Sequence, residues 1–74
     1  MNLKLIPKIS CIYKIINIKN NKYYLGSTSN LYNRIGYHLS SLRKGNHVNE
    51  YLQNSFNKYG EQNFKVEVVL KCSP

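Results

Sequence analysis

Acidic side chains are almost absent from this chain of 74 residues: Glu50, Glu61 and Glu67 stand against 11 lysines and arginines, for a formal net charge of +8. So few carboxylates leave little to hold a hard divalent cation. The charge balance points to nucleic acid or another anionic surface as the partner. Long apolar runs are missing as well. No segment approaches the length of a membrane span, and none joins a long apolar face to a lysine-rich one, so an anionic membrane is the weaker choice of partner. The opening stretch, Met1 to Ser10, is too short in apolar run and too interrupted by Lys4, Pro7 and Lys8 for a secretory signal, and it reads as an ordered arm or a fraying tail. Cysteine is scarce: Cys11 and Cys72 lie far apart, with no CxxC spacing, and are expected as free thiols. His38 and His47 do not lie at finger spacing from a cysteine pair, which argues against zinc. No internal repeat, low-complexity tract or linker is present. One domain over residues 1–74 is expected, with a thin core, since a chain of this size buries only about 60% of its unfolded surface.

Asn, Lys, Ile and Tyr are used heavily instead, and all four have AT-rich codons. An AT-rich genome follows, such as that of an organelle, a phage or a large virus. The expected location is intracellular, in a mitochondrion or a phage- or virus-infected cell.

Residues 11–18 are β-branched and aromatic and predict a strand. Lys19-Asn20-Asn21 supplies turn residues that tolerate the left-handed conformation of a tight hairpin, and residues 22–27 return as a second strand. Ser27 to Asn30 offer N-caps for a helix whose apolar residues Leu31, Ile35, Leu39 and Leu42 recur at helical spacing, with Gly45 as the stop. Gly36 lies inside it and suggests either a close approach of the backbone to something or tolerated drift. Asn49 can cap a second helix with Leu52, Phe56 and Tyr59 as its stripe and Gly60 at its end. Over residues 63–71, Phe64, Val66, Val68 and Leu70 alternate with polar positions, as in a half-buried strand. The expectation is a small α/β (α+β) domain of order β-β-α-α-β, with a three-stranded, mainly antiparallel sheet and one open face.

The residues with chemistry are Tyr13 and Tyr24, each in a short motif (Cys11-Ile12-Tyr13 and Tyr24-Leu25-Gly26) with ten residues between the two, followed by Arg34 and His38. Arg34 and His38 are four apart and share one helix face beside the apolar stripe, at the rim of the core. A guanidinium suits phosphoryl oxygens. A tyrosine can act as a base only if its pKa of about 10 is lowered, and Lys22 across the hairpin could lower it. Each residue also has a plain reading: strand aromatics for the tyrosines, a solvated helix charge for Arg34, a helix-surface residue for His38.

Taken together, Cys11-Ile12-Tyr13, Lys22, Tyr24-Leu25-Gly26-Ser27, Arg34, His38 and Leu52-Gln53-Asn54-Ser55-Phe56-Asn57-Lys58-Tyr59-Gly60 closely resemble the GIY-YIG nuclease superfamily, nearest to the catalytic domains of intron-encoded and phage-type homing endonucleases. The resemblance covers residues 9–71. It implies metal-dependent cleavage of double-stranded DNA with Mg or Mn, Tyr13 as general base for the water, Tyr24 positioning water or phosphate, Lys22 lowering a tyrosine pKa, Arg34 binding the scissile phosphate, and His38 assisting proton transfer or phosphate binding. Gly26 would allow a close turn between strand and helix, and Ser27 would sit at the pocket edge.

The sequence departs from the family pattern in three places. Cys11 replaces the first motif's glycine, as a packing adjustment without a catalytic thiol, and Leu25 replaces an isoleucine. The family's metal-binding glutamate belongs to a helix after the third strand, beyond the end of this chain. Of the three glutamates, Glu50 suits a helix start, Glu61 falls in a loop, and only Glu67 lies on the sheet. An incomplete endonuclease domain, weak or inactive alone, is the first expectation. A non-catalytic nucleic-acid-binding module and an oligomerising remnant, pairing through the open sheet face, are the alternatives.

Overall fold

The computed structural model describes residues 1–73. Strand β1 (Cys11–Asn17) points Cys11, Tyr13, Ile15 and Asn17 to one side, and all four are buried. The strand ends one residue before the expected Ile18 because Asn17 turns its own side chain on the chain: its Oδ1 accepts the Lys19 N–H at 2.9 Å. Asn21 then takes φ 60°, the left-handed value asparagine tolerates, and β2 (Tyr23–Thr28) returns antiparallel to β1. The third strand, β3 (Phe64–Lys71), lies on the other side of β1, giving the order β2-β1-β3.

Helix α1 (Leu31–Lys44) begins where Asn30 Oδ1 accepts the Asn33 N–H at 3.1 Å, and stops at Gly45, whose φ of 77° closes the last turn. Helix α2 (Glu50–Tyr59) repeats the design, with Asn49 Oδ1 accepting from Leu52 at 2.9 Å and Gly60 at its end. Both helices cover the buried side of β1. Leu31, Ile35, Leu39, Leu42, Leu52 and Phe64 form one core with Cys11, Tyr13 and Ile15, and Ile6 and Ile9 of the opening arm pack against it. Among the described residues no helix is long and apolar enough to cross a membrane.

Two expectations need correction. The period-two reading of β3 fails at its end. A bulge opposite Ile12 and Tyr13 pairs Val68 with Tyr13 but Leu70 with Ile12, so one extra residue moves Leu70 to the outer face, where it is 57% exposed. Gly36 meets no close neighbour, since a Cβ there would find nothing within 4 Å. Gly36→Ala is therefore expected to stabilise the fold by about 1 kcal/mol, raising Tm by about 4–8 °C; a lowered Tm on thermal melting would show a hidden constraint. The outer face, carrying Ile12, Lys14, Ile16, Leu25 and Glu67, has no helix over it among the described residues.

Candidate active site

The inner face of the sheet and the buried side of α1 meet at Tyr13. This residue is entirely buried, yet its hydroxyl is hydrogen-bonded 2.7 Å from His38 Nε2. His38 is itself 1% exposed. It lies inside the core, not at its rim or on the helix surface as the spacing suggested. Its position eleven residues before Asn49 leaves room for the loop between the helices to bring in a second imidazole. His47 stacks on His38 with ring centroids 4.9 Å apart, and His38 Nδ1 lies 2.7 Å from His47 Nε2.

The backbone fixes the protons in this chain of rings. His47 Nδ1 accepts the Asn49 N–H at 3.0 Å, so that nitrogen is unprotonated. Burial holds both imidazoles neutral, pushing His47 down and His38 down to about 4, with the neighbouring His47 and Arg34 adding to the effect at His38. A neutral His47 then carries its hydrogen on Nε2 and donates to His38 Nδ1. His38 in turn carries its hydrogen on Nε2 and donates to the Tyr13 oxygen. The tyrosine's own O–H is thereby left free to turn outward. Gln53 braces the arrangement: its Oε1 accepts the His47 N–H at 3.0 Å, and its Nε2 donates to the Leu42 carbonyl at 3.0 Å and to Asn57 Oδ1 at 2.9 Å.

Tyr24 closes the site from β2, its ring edge-on to His38 at 5.2 Å and tilted to Tyr13 at 6.5 Å. Arg34, exposed and one turn before His38, reaches both tyrosines, and its contact with Tyr13 is the main reason its guanidinium is held even more firmly protonated. The Tyr13 pKa is raised, because loss of water outweighs the opposing influence of the nearby Arg34 guanidinium. A tyrosine base prepared by a lowered pKa is thus not what the free site contains.

Lys22 stands apart from Tyr13. Its ammonium sits over the Tyr51 ring at 5.9 Å, in a neighbouring cleft that shares Tyr24. Ser27 pairs with Ile12 and is exposed on the outer face, away from the site. Gly26 serves a different end from a turn. It lies within β2 opposite Tyr13, and a Cβ there would fall 2.5 Å from the Tyr13 hydroxyl and 2.6 Å from Cζ. Glycine is needed to seat the tyrosine ring. Cys11 is buried in the core and free, with burial pushing its thiol up, which fits packing and not nucleophilic chemistry.

The residues do not supply a metal centre. Among the described residues no three His, Cys, Asp or Glu side chains come together. Glu61 is held by Arg43 through two 2.8 Å hydrogen bonds, Glu50 opens α2, and Glu67 pairs with Lys14 on the face of β1 opposite Tyr13. Both nitrogens of each histidine are already engaged. His47 and Gln53 are the site residues that sequence reasoning missed. Gln53 stood within the recognised helix motif but carried no sign of its role, and His47 looked like any polar loop residue.

Residues 9–74 match the family described as the GIY-YIG catalytic domain. The chain belongs to the GIY-YIG family. Over 64 residues it is 47% identical to intron-associated endonuclease 1 of Enterobacteria phage T4, a match that covers 86% of this chain and 23% of that protein. The chain therefore spans about a quarter of that relative's length. The fold matches the catalytic domain of homing endonuclease I-TevI with a TM-score of 0.81 and 38% identity, over 85% of this chain and 67% of that one. A mutant form of the same domain matches with a TM-score of 0.81 and 39% identity, over 86% and 65%. The β-β-α-α-β order and three-stranded antiparallel sheet of this GIY-YIG domain are those of that fold.

Proposed function

We propose that this GIY-YIG domain holds the phosphodiester and moves the proton in DNA cleavage, and that it needs a carboxylate from outside the described residues for full activity. The observation that carries the reading is the directed hydrogen-bond chain from the Asn49 N–H through His47 and His38 to Tyr13, ending beside Arg34. Arg34 opens onto a shallow groove with Asn30, Asn33 and Tyr37, where neutral donors can meet a DNA backbone around one fixed cation. A phosphoryl oxygen bound by the guanidinium places the attacking water near the Tyr13 oxygen. Tyr13 can take a proton from that water only as the phenolate, its own hydroxyl proton having first passed to solvent. His38 Nε2–H and Arg34 are the two donors that stabilise this phenolate, and the transfer returns it to the phenol. His38 acts as a donor here and does not take the proton, because its Nε2 already carries one. Tyr24 fixes the position of the phosphate or water from the other side.

GIY-YIG nucleases generally use divalent metal. The described carboxylates do not reach the site, so no step is assigned to the ion. Two measurements test the reading. Duplex DNA binding is expected to weaken steeply with salt, and Arg34→Ala is expected to weaken it about tenfold and lower the salt slope by about 1. With plasmid DNA and Mg²⁺ or Mn²⁺ the chain is expected to nick at background level. Robust nicking that vanishes in Tyr13→Phe would overturn the need for a further carboxylate, and binding indifferent to Arg34→Ala would remove the phosphate assignment. A binding module without catalysis has one point in its favour, the raised Tyr13 pKa. It predicts that supplying the missing carboxylate changes nothing.

A further inference from the structure

Residues 1–8 lie outside the span that matches the GIY-YIG family, yet this arm is firmly attached. Met1, Leu3, Ile6 and Ile9 pack against the core. Two backbone hydrogen bonds then tie the end of the arm to its neighbours. The Leu31 N–H at the start of α1 donates to the Ile9 carbonyl at 2.9 Å, and the Cys72 N–H just after β3 donates to the Ser10 carbonyl at 2.9 Å. Lys8 precedes the first of these anchors and Lys71 the other, so both lysines are brought to the walls of one open groove of about 340 Å³. Ile9, Ser10, Ser29 and Cys72 complete the lining, and none of it is acidic. Both lysines are exposed. Lys8 leans over the Tyr32 ring at 5.5 Å, a contact that steadies the ammonium and leaves its charge in place. Two ammonium groups along one groove repel each other, and no glutamate comes there to offset it. Glu61 is taken by Arg43, Glu50 opens α2, and Glu67 stands opposite Lys14 on the outer face. An anion in the groove removes that repulsion.

This groove adjoins the one at Arg34. Ser29 lines both, since the groove of about 310 Å³ that holds Asn30, Asn33 and Arg34 also includes it. Three cations therefore border one polar path that joins at Ser29. A strand of duplex DNA carries a phosphate about every 3.4 Å along its axis. A strand held at Arg34 thus brings its neighbouring phosphates within reach of the adjoining groove. We propose that Lys8 and Lys71 form a second phosphate cradle, which holds the DNA backbone about one or two nucleotides from the phosphodiester at Arg34. The proposal rests on the reading of Arg34 as the phosphodiester contact. Contacts of this kind fix register and orientation and carry no sequence information. The arm thus adds a positioning contact to the family domain, and it sets where along the strand Arg34 engages.

Duplex binding measured between about 50 and 200 mM salt tests the cradle. Lys8→Gln and Lys71→Gln are each expected to weaken binding about fivefold and to lower the salt slope by about 1, on any sequence. Lys8→Arg keeps the charge and is expected to keep both values. Lys44→Gln removes the same charge at the far end of α1, about 20 Å along the helix from the groove. That exceeds the Debye length of about 10 Å at 0.1 M salt, so its effect is expected to be less than about half as large. In the isotopically labelled chain, the Ser10, Ser29 and Cys72 amide signals are expected to move with a short duplex, and to stay in place when both lysines are glutamine. Unchanged slopes in both lysine variants, or a Lys44→Gln effect as large as theirs, would overturn the cradle. If inorganic phosphate moves these amides and the duplex does not, the groove is an ion site and the cradle falls. Arg34→Ala, measured in parallel, keeps the two readings apart. A slope lowered by Arg34→Ala alone refutes the cradle and leaves the Arg34 contact standing. A slope lowered by both lysine variants but untouched by Arg34→Ala refutes the Arg34 contact, and with it the place of the cradle beside the phosphodiester.

Discussion

Gly26→Ala is expected to dismantle the site while leaving every proposed catalytic side chain in the sequence. The added carbon would lie 2.5 Å from the Tyr13 hydroxyl and 2.6 Å from Cζ, inside any real contact distance. Tyr13 cannot yield easily, since it is fully buried and pinned by His38 at 2.7 Å. Either β2 moves away from β1 or the tyrosine leaves its place. Overpacking of this kind costs typically 1–3 kcal/mol, about a 5–15 °C fall in Tm for a domain of this size. The local effect is the more diagnostic one. If Tyr13 shifts, His38 Nε2–H loses its acceptor, and the imidazole proton and nitrogen resonances of His38 should move away from the hydrogen-bonded pattern. A displacement of about 1 Å at such a group can cost about 100-fold in rate in an active nuclease. A Gly26→Ala chain with unchanged Tm and an unchanged His38 signal would show that the tyrosine ring does not depend on this glycine.

Acid should unfold this domain through its histidines. His38 holds a folded pKa of about 4 against 6.5 in the open chain. Below pH 6.5 the unfolded state takes up a proton that the folded state refuses until about pH 4, so stability falls as the pH drops through that window. A shift of this size corresponds to about 2–3 kcal/mol after allowance for partial response of the surroundings, or a fall in Tm of about 10 °C or more. His47, also lowered by burial, acts in the same direction. The Arg43 pair holds the Glu61 carboxyl below its usual range, and that surface contribution is lost only at lower pH. Urea midpoints between pH 7 and pH 4.5 should therefore trace the histidine pair, and His38→Gln should flatten the curve. A flat curve in the unsubstituted chain would mean that both imidazoles can be charged in the folded state, and the assigned directions of the hydrogen bonds would fall with it.

Much of the fold was legible because it is local. Asn30 and Asn49 cap their helices through side-chain oxygens, Gly45 and Gly60 take positive φ at the helix ends, and Asn21 makes the hairpin turn, each within a few residues of its own position. The end of β3 was not legible. The bulge that sends Leu70 outward arises in pairing with a strand more than fifty residues earlier, and alternation within β3 carries no record of it. The two helix glycines divide on the same line. Gly45 announces itself as a stop, whereas Gly36, read as a close approach, faces open space.

The sequence by itself determined the family, the element order and the four groups Tyr13, Tyr24, Arg34 and His38, because residue type and spacing are written directly in the chain. Tertiary structure decided how those groups can act. It buried His38 with Tyr13, brought His47 from the inter-helix loop to stack on it, and used one backbone N–H at Asn49 to set the direction of every hydrogen in the relay. It also moved Lys22 away from Tyr13 into a second cleft. Burial, hydrogen-bond direction and the choice of sheet face depend on contacts between residues distant in the chain, and so they exist only once the strands and helices have met.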